Sequence, residues 1–239
     1  MPFTSQSMER FDNLYQYLSR KFQLRQKAVQ VGETVYQLFT VKDIDELLDR
    51  LIEQPPDHPE VKDERLPYWA EIWPSSIALA RFLSQKNLIE SEARIIEIGC
   101  GIGLVGMAVA NTSSHILLTD YQPDALLFAE LNWLMNLGRS PTLQLLDWRN
   151  PAMEERFDVV LASDVIYEKR FFHPLIHTFE SLLLPEGHVY LSEPNRPVAH
   201  NFFDLLHPAG FDFKKYEVET TYEDKALQIS VYDIWKIRK

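Results

Sequence analysis

A glycine-rich segment is the first place in this chain where the backbone could lie directly against a ligand. Residues 99–106 contain four of the eight glycines in 239 residues. The apolar run 94–98 before the segment is typical of a buried strand, and the apolar residues 104–110 after it are typical of a buried helix. Because glycine has no Cβ, such a strand–turn–helix junction lets the chain pass beneath a nucleotide-like ligand. A tight connection in an ordinary α/β protein is the structural alternative.

Two ligand classes fit this segment. Residues 101–106 read Gly-x-Gly-x-x-Gly, the dinucleotide fingerprint, and Asp120 follows about 20 residues later, as that fingerprint requires. The overlapping residues 97–103 read Glu-x-Gly-x-Gly-x-Gly and resemble the first motif of class I S-adenosylmethionine (SAM) methyltransferases. Either match alone is weak, so the rest of the chain must decide between a nicotinamide cofactor and SAM.

Acidic residues mark the ends of further apolar runs. Glu97 lies near the end of the run before the glycines, and Asp120, Asp147 and Asp164 end or follow three later runs. Ligands of open parallel sheets bind outside the carboxyl ends of the strands. The sequence therefore predicts one ligand site, lined by acids, at that edge of a sheet.

An aromatic segment precedes the first of these strands. Residues 66–76 hold two of the five tryptophans, including Trp73, and a tyrosine. A helix is predicted to follow, capped at Ser75 or Ser76. Aromatic faces attract a positive centre such as a sulfonium, so this segment is either a wall of the ligand site or part of the core.

Hydrophobic periodicity predicts the elements that position these residues. Helices are expected over about 11–22, 44–52, 104–110, 123–137, 169–184 and 198–207, with the 44–52 helix starting in a capping box at Asp43 and Glu46. Strands are expected at 24–31, 34–41, 94–98, 115–120, 142–146, 157–163, 188–192, 211–219 and 226–238.

Alternating strands and helices predict an α/β, Rossmann-like sheet of seven strands with helices on both faces. The short loop 220–225 leaves no room for a crossover helix, so the last strand should be antiparallel in a mainly parallel sheet. A dinucleotide dehydrogenase would need a second mononucleotide half and a separate substrate region, so this layout favours SAM. Residues 1–60 are expected to form a helix–hairpin–helix extension, and residues 61–239 the SAM-dependent domain.

Composition limits the partners. The 24 basic and 35 acidic residues give a net charge of −11, which disfavours nucleic-acid binding. No run approaches the ~20 apolar residues of a membrane span, and residues 1–10 lack the apolar core of a secretion signal. With Cys100 as the single cysteine, we expect a cytoplasmic protein without membrane contact. His173 and His177 have the spacing of a metal-binding pair but no third ligand nearby, so no metal is predicted.

Five motifs in the expected order resemble those of seven-β-strand protein-lysine methyltransferases of methyltransferase family 16, which carry an Asp-x-x-Tyr signature. The resemblance covers residues from about 66 to the C-terminus. The amino-acid sequence of residues 67–73 is similar to that of family members that act on the β-subunit of electron-transfer flavoprotein. The matching segments are residues 67–74, 97–103, 118–120, 147–148 and 163–167.

Roles follow from the strand-end geometry and from this resemblance. Asp120 is expected to accept hydrogen bonds from the ribose, or else to cap the next helix; Glu97 should support the glycine turn or meet the SAM amino group. Asp164 and Tyr167 are expected to contact the substrate group that accepts the methyl group. The structural alternative is that Asp164 caps a helix and Tyr167 lies in the core. The full predicted cofactor set is Trp73, Glu97, Gly99, Cys100, Gly101, Gly103, Asp120, Asp147, Trp148 and Ser163.

The predicted reaction is SAM-dependent N-methylation of a lysine side chain in a protein substrate. A lysine ammonium, with an ordinary pKa near 10.4, must lose a proton before it can attack. A small-molecule N-methyltransferase is the second hypothesis. An inactive SAM-binding module or a nicotinamide oxidoreductase is the third.

Overall fold

A helix–hairpin–helix unit begins the chain. The computed structural model describes residues 4–113 and 115–238. The first elements are α1 (Ser5–Lys21), β1 (Leu24–Val31), β2 (Thr34–Val41), α2 (Ile44–Ile52) and the short α3 (Pro59–Lys62). β1 and β2 pair in antiparallel register as a separate two-stranded sheet. The predicted order of helix, hairpin and helix is confirmed.

Among the described residues, seven strands form the central sheet. They are β3 (Ile95–Ile98), β4 (Ile116–Asp120), β5 (Thr142–Leu145), β6 (Phe157–Ser163), β7 (Leu183–Glu193), β8 (Phe211–Tyr222) and β9 (Lys225–Lys236). Their spatial order is β5-β4-β3-β6-β7-β9-β8, and β9 alone runs against its neighbours. The mainly parallel sheet with an antiparallel last strand is confirmed. That strand inserts between β7 and β8.

Helices cover both faces of this sheet. They are α4 (Pro74–Lys86), α5 (Leu104–Val109), α6 (Pro123–Leu137), α7 (Phe172–Leu182) and α8 (His200–Leu206). Successive strand residues alternate between two cores: Ile95 and Leu161 pack with α4, α5 and α6, whereas Ile96 and Val160 pack with α7 and α8. Parallel strands buried on both faces explain their continuous apolar runs.

The N-terminal unit packs against α6 through polar side chains of that helix. Asn132 is fully buried; its amide oxygen accepts from Phe39 N at 2.7 Å and its amide nitrogen donates to Phe39 O at 3.1 Å. Asn136 makes the same pair of bonds with Gln37. Two side-chain amides thus satisfy the free edge of β2, which fixes the hairpin on the core.

Two predicted caps are wrong in detail. The Asp43 side chain accepts from Asp45 N, while Glu46 pairs with Arg50 instead of closing a capping box. Helix α4 begins at Pro74 with Trp73 in the cap position, so neither predicted serine caps it. Proline at the first helical position has no N–H to satisfy, which removes one demand for a cap.

Element bounds also differ near the C-terminus. The predicted helix 169–184 is a 3₁₀ turn, Lys169–Phe171, followed by α7, and the predicted helix 198–207 likewise starts with a 3₁₀ turn, Pro197–Ala199. The strand predicted at 188–192 is longer, because β7 already begins at Leu183. The loop 220–225 shrinks to Glu223 and Asp224, whose φ angles of 48° and 61° suit a type I′ hairpin. Within the described residues, no helix is long and apolar enough to cross a membrane.

Candidate active site

The glycine-rich loop between β3 and α5 forms the floor of a cleft. Gly101 has a φ of +51°, and a Cβ there would lie 3.2 Å from the carbonyl oxygen of Trp69. The loop therefore passes directly under the aromatic segment, which leaves no space for a larger residue.

Glu97 lies beneath this loop. Its side chain is 1% exposed, and Oε2 accepts from Gly106 N at 2.8 Å. Burial in this apolar layer raises the pKa of the carboxyl to about 8, with a further contribution from the charge of Asp120. Of the two predicted roles, the geometry matches support of the turn, because Glu97 does not line the cleft.

Asp120 ends β4 at the wall of the cleft. Its Oδ2 accepts from Gly101 N and its Oδ1 from Gln122 N, both at 2.9 Å. Burial raises its pKa to about 6, although these backbone hydrogen bonds oppose the rise. The cap residue of α6 is Gln122, so Asp120 stabilises the turn before the helix while facing the cleft.

The cleft, named here the glycine-loop cleft, comprises about 710 Å³ of space not filled by atoms, including open solvent. Of the predicted residues it is lined by Trp73, Gly99, Cys100, Gly101, Asp120, Trp148, Ser163, Asp164 and Tyr167. Glu97, Gly103 and Asp147 are not among its lining residues. Tyr121 lines it without having been predicted, although its place directly after Asp120 could have suggested it.

Asp147 belongs to an ionic network beside this cleft. Arg149 binds Asp147 at 2.5 Å and Asp63 at 2.6 Å. Hydrogen bonds from Arg149 are the main reason that the pKa of Asp63 falls to about 2. The same guanidinium lies 5.7 Å from the ring centre of Tyr121. Sequence reasoning missed Asp63 and Arg149 because they are far apart along the chain.

Asp164 follows β6 in a left-handed conformation, with a φ of +59°. The N-cap position of the next helical turn is occupied by Glu168, so the alternative of Asp164 as a helix cap is wrong. The side chain is 7% exposed; Oδ1 accepts from the guanidinium of Arg196, and buried Oδ2 has no hydrogen-bond partner among the described residues. Strained backbone and an unsatisfied buried oxygen are features concentrated at functional sites.

Tyr167 belongs to an aromatic wall. Its ring makes edge contacts with Tyr68 and Phe171, each at 5.7 Å between centroids. Tyr68 in turn contacts the ring of Trp73 at 5.8 Å and accepts from the indole nitrogen through its carbonyl oxygen. Burial raises the pKa of Tyr167 well above its ordinary value, so the phenol keeps its proton.

A second cavity, named here the outer cavity, opens on the other side of this wall. It holds about 1140 Å³ of space, including open solvent. It is lined by Glu64, Leu66, Tyr68, Trp73, Asp164, Tyr167, Glu168 and Arg196. Five of these residues also line the glycine-loop cleft, so the two compartments meet at the Asp164–Tyr167 pair.

Comparisons with known proteins identify the family. The sequence model of the lysine methyltransferase family matches residues 63–208. EEF1A lysine methyltransferase 3 of Xenopus tropicalis is 27% identical over 172 residues, which cover 69% of this chain and 74% of that protein. Protein N-lysine methyltransferase METTL21A of Danio rerio is 31% identical over 136 residues, or 54% of this chain and 62% of that protein.

A solved structure shows the same fold. Magnesium protoporphyrin IX methyltransferase from Synechocystis, determined with bound SAM, aligns with a TM-score of 0.53 at 15% identity, covering 79% of this chain and 90% of that one. The family match spans more than half of the chain and includes the glycine-rich loop, Asp120 and the Asp164–Tyr167 pair. The chain therefore belongs to the lysine methyltransferase family and is a SAM-dependent methyltransferase with a Rossmann-like fold.

Proposed function

We propose that this enzyme methylates the side-chain nitrogen of a lysine in a protein substrate, with SAM in the glycine-loop cleft and the lysine entering from the outer cavity. The observation that carries the proposal is the shared wall of the two compartments at Asp164 and Tyr167. An acceptor reaching through an open cavity can remain attached to a polypeptide outside it.

The residues of the cleft suit SAM, which supplies a methyl group on a sulfonium centre. A carboxylate has about four acceptor positions, and Asp120 uses two of them on backbone N–H groups, so others are free for ribose hydroxyls. Gly99, Cys100 and Gly101 would hold the methionine part, with Trp73 covering it and Ser163 beside it. Trp148 would border the adenine.

Three other predicted cofactor residues would act without lining the cleft. Glu97 would hold the loop through Gly106, and Gly103 would let the loop pack closely on α6, since a Cβ there would lie 3.1 Å from that of Ala129. Asp147 would position Trp148 through its ion pair with Arg149.

The acceptor side has to orient an amine for in-line attack. Asp164 would accept one hydrogen bond from the amine, and the oxygen of the Tyr167 phenol, kept neutral by burial, would accept a second, so that the nitrogen lone pair stays free and points toward the methyl group. Most of the rate would come from alignment, since effective molarities of well-oriented groups are worth about 7–11 kcal/mol.

The Asp164→Asn variant tests the acceptor assignment, because asparagine tolerates a left-handed backbone. We expect methyl transfer to fall by about 100-fold or more, while SAM affinity measured by calorimetry changes little. Tyr167→Phe should behave similarly but more mildly. Asp204→Asn, on the exposed face of α8, is the matched control and should keep full activity. An equal loss of SAM affinity in Asp164→Asn would contradict an acceptor role.

The substrate class is tested with labelled SAM. Host lysate protein and a small-molecule extract are incubated in parallel, and the labelled protein is purified and its methylated residue mapped. Lysine in a protein is the expected site. The β-subunit of electron-transfer flavoprotein and elongation factor 1A are direct candidates to add as purified proteins. Label only in the small-molecule extract would favour the small-molecule N-methyltransferase. Label on a histidine would show that the acceptor residue is histidine instead of lysine.

We also propose that residues 1–60 form an extension supporting the domain of residues 61–239. The Asn132 and Asn136 bonds to β2 support this division, as does a family match that starts at residue 63. A cytoplasmic location is proposed from the single cysteine, Cys100, which is buried. Fractionation of cells expressing a tagged copy tests it.

A further inference from the structure

Arg196 occupies an unusual place beside the proposed acceptor site. Its guanidinium binds Oδ1 of Asp164, and its side chain is 30% exposed and lines the outer cavity. Its backbone N–H donates to the carboxylate of Glu193 at 2.9 Å. The preceding Asn195 adopts a φ of +60°, and its amide nitrogen donates to Gln228 O on β9. A built turn after β7 therefore presents Arg196 to Asp164.

An isolated buried carboxylate would create a chemical problem for lysine methylation. It would attract the lysine as an ammonium ion and raise the pKa of the amine, because an adjacent opposite charge favours the charged form. An ammonium has no lone pair and cannot attack the methyl group. A cation on the other carboxylate oxygen offsets this attraction and leaves Oδ2 available as a hydrogen-bond acceptor.

We propose that Arg196 is a positioning residue that partly neutralises Asp164, so that the carboxylate holds the lysine nitrogen as a neutral amine. The proposal rests on the proposed function, since it requires an amine acceptor at Asp164. Arg196 acts through Asp164 and makes no contact with the transferred methyl group.

Other charged and titratable groups around this site are retained in the test variants. Their contributions are therefore common to all the proteins compared. They are Glu64, Tyr68 and Glu71 from the segment before α4, Asp120 and Tyr121 after β4, Tyr167 and Glu168 after β6, and Glu193 with Tyr232 on β7 and β9.

The test is the pH dependence of single-turnover methyl transfer to the purified lysate protein described above, at saturating SAM and acceptor. In Arg196→Gln, we expect the rise of the rate with pH to move toward alkaline pH by about one to two pH units, because the lost positive charge no longer lowers the pKa of the nearby amine. At pH 7 the rate should fall about 10- to 100-fold and approach the wild-type rate at high pH. The KM for the acceptor protein should not rise, because an ammonium binds the unneutralised carboxylate well.

Arg196→Lys keeps the positive charge and should restore the wild-type pH profile. If Arg196→Gln does not fold, as judged by thermal melting and SAM binding, Arg196→Met is used in its place, because methionine keeps the packing of the aliphatic stem. A rate lowered equally at every pH, with no rescue by lysine, would show a structural role and overturn the inference. The outcome also separates the two proposals: an active Asp164→Asn variant removes the proposed acceptor site, whereas an inactive one with an unshifted Arg196→Gln profile removes only this inference.

Discussion

The buried carboxyl of Glu97 should make the folded protein less stable as pH rises. Its pKa is about 8 in the folded protein against an ordinary value of 4.5, so between these values the folded state holds a proton that the unfolded state has lost. The stability from this group is complete below pH 4.5 and is lost as pH rises toward 8. At 1.36 kcal/mol for each pH unit, the full loss is roughly 5 kcal/mol.

Glu97→Gln replaces the acid with a neutral side chain of the same shape, whose oxygen can still accept from Gly106 N. We expect its stability relative to wild type to improve by roughly 2 kcal/mol between pH 6 and pH 8, because only in the wild type does folding at that pH require the uptake of a proton by Glu97. The assay is urea unfolding of ligand-free protein at several pH values. Both proteins keep Asp120, so its titration is common to the two curves.

The exposed Glu53 supplies a matched control, since Glu53→Gln removes a carboxylate from the surface. A pH dependence of Glu97→Gln no larger than that of the control would refute the argument that Glu97 is protonated in the fold. A difference that grows in the opposite direction would show that the carboxylate is ionised and stabilised by the loop.

Three further predictions concern packing and charge. Gly106→Ala should cost about 2–4 kcal/mol of stability in urea unfolding, because a Cβ would lie 2.3 Å from a Leu118 methyl carbon; a loss below about 1 kcal/mol would contradict this packing. Arg149→Met should weaken SAM binding in calorimetry by about tenfold or more. The variant should also be less stable than wild type, and this difference should shrink as pH falls from about 4 toward 2, because Asp63 then becomes protonated in the wild type too. Lys27→Met should lower the free energy of unfolding by about 1 kcal/mol and speed hydrogen exchange at residues 220–226. The reason is that Lys27 Nζ lies 3.0 Å from both Tyr222 Oη and Glu223 Oε1 at the tip of the β8–β9 hairpin. Unchanged exchange would refute the argument that Lys27 holds this tip.

Local pattern was enough to predict most of the secondary structure. The strand 157–163 and the helix 123–137 are found at the predicted bounds, because long runs buried on one or both faces leave a clear periodicity. The capping box of Asp43 with Glu46 and the cap at Ser75 or Ser76 were wrong, although Asp43 does cap α2, because nearby groups compete for the same N–H groups and side chains. The choice among them depends on packing around the helix start.

The sequence by itself determined the family, the SAM-dependent chemistry and the edge of the sheet where the glycine-loop cleft lies. Glycines, strand-end acids and the Asp164–Tyr167 pair are local features, and parallel strands bring their carboxyl ends together whatever surrounds them. Only the tertiary structure decided that β9 lies between β7 and β8, that Arg149 joins Asp63 to Asp147, and that Arg196 binds one oxygen of Asp164. Such contacts join residues 32 or 86 positions apart. They are fixed by how loops pack over the finished sheet, and neither periodicity nor spacing in the chain carries that information.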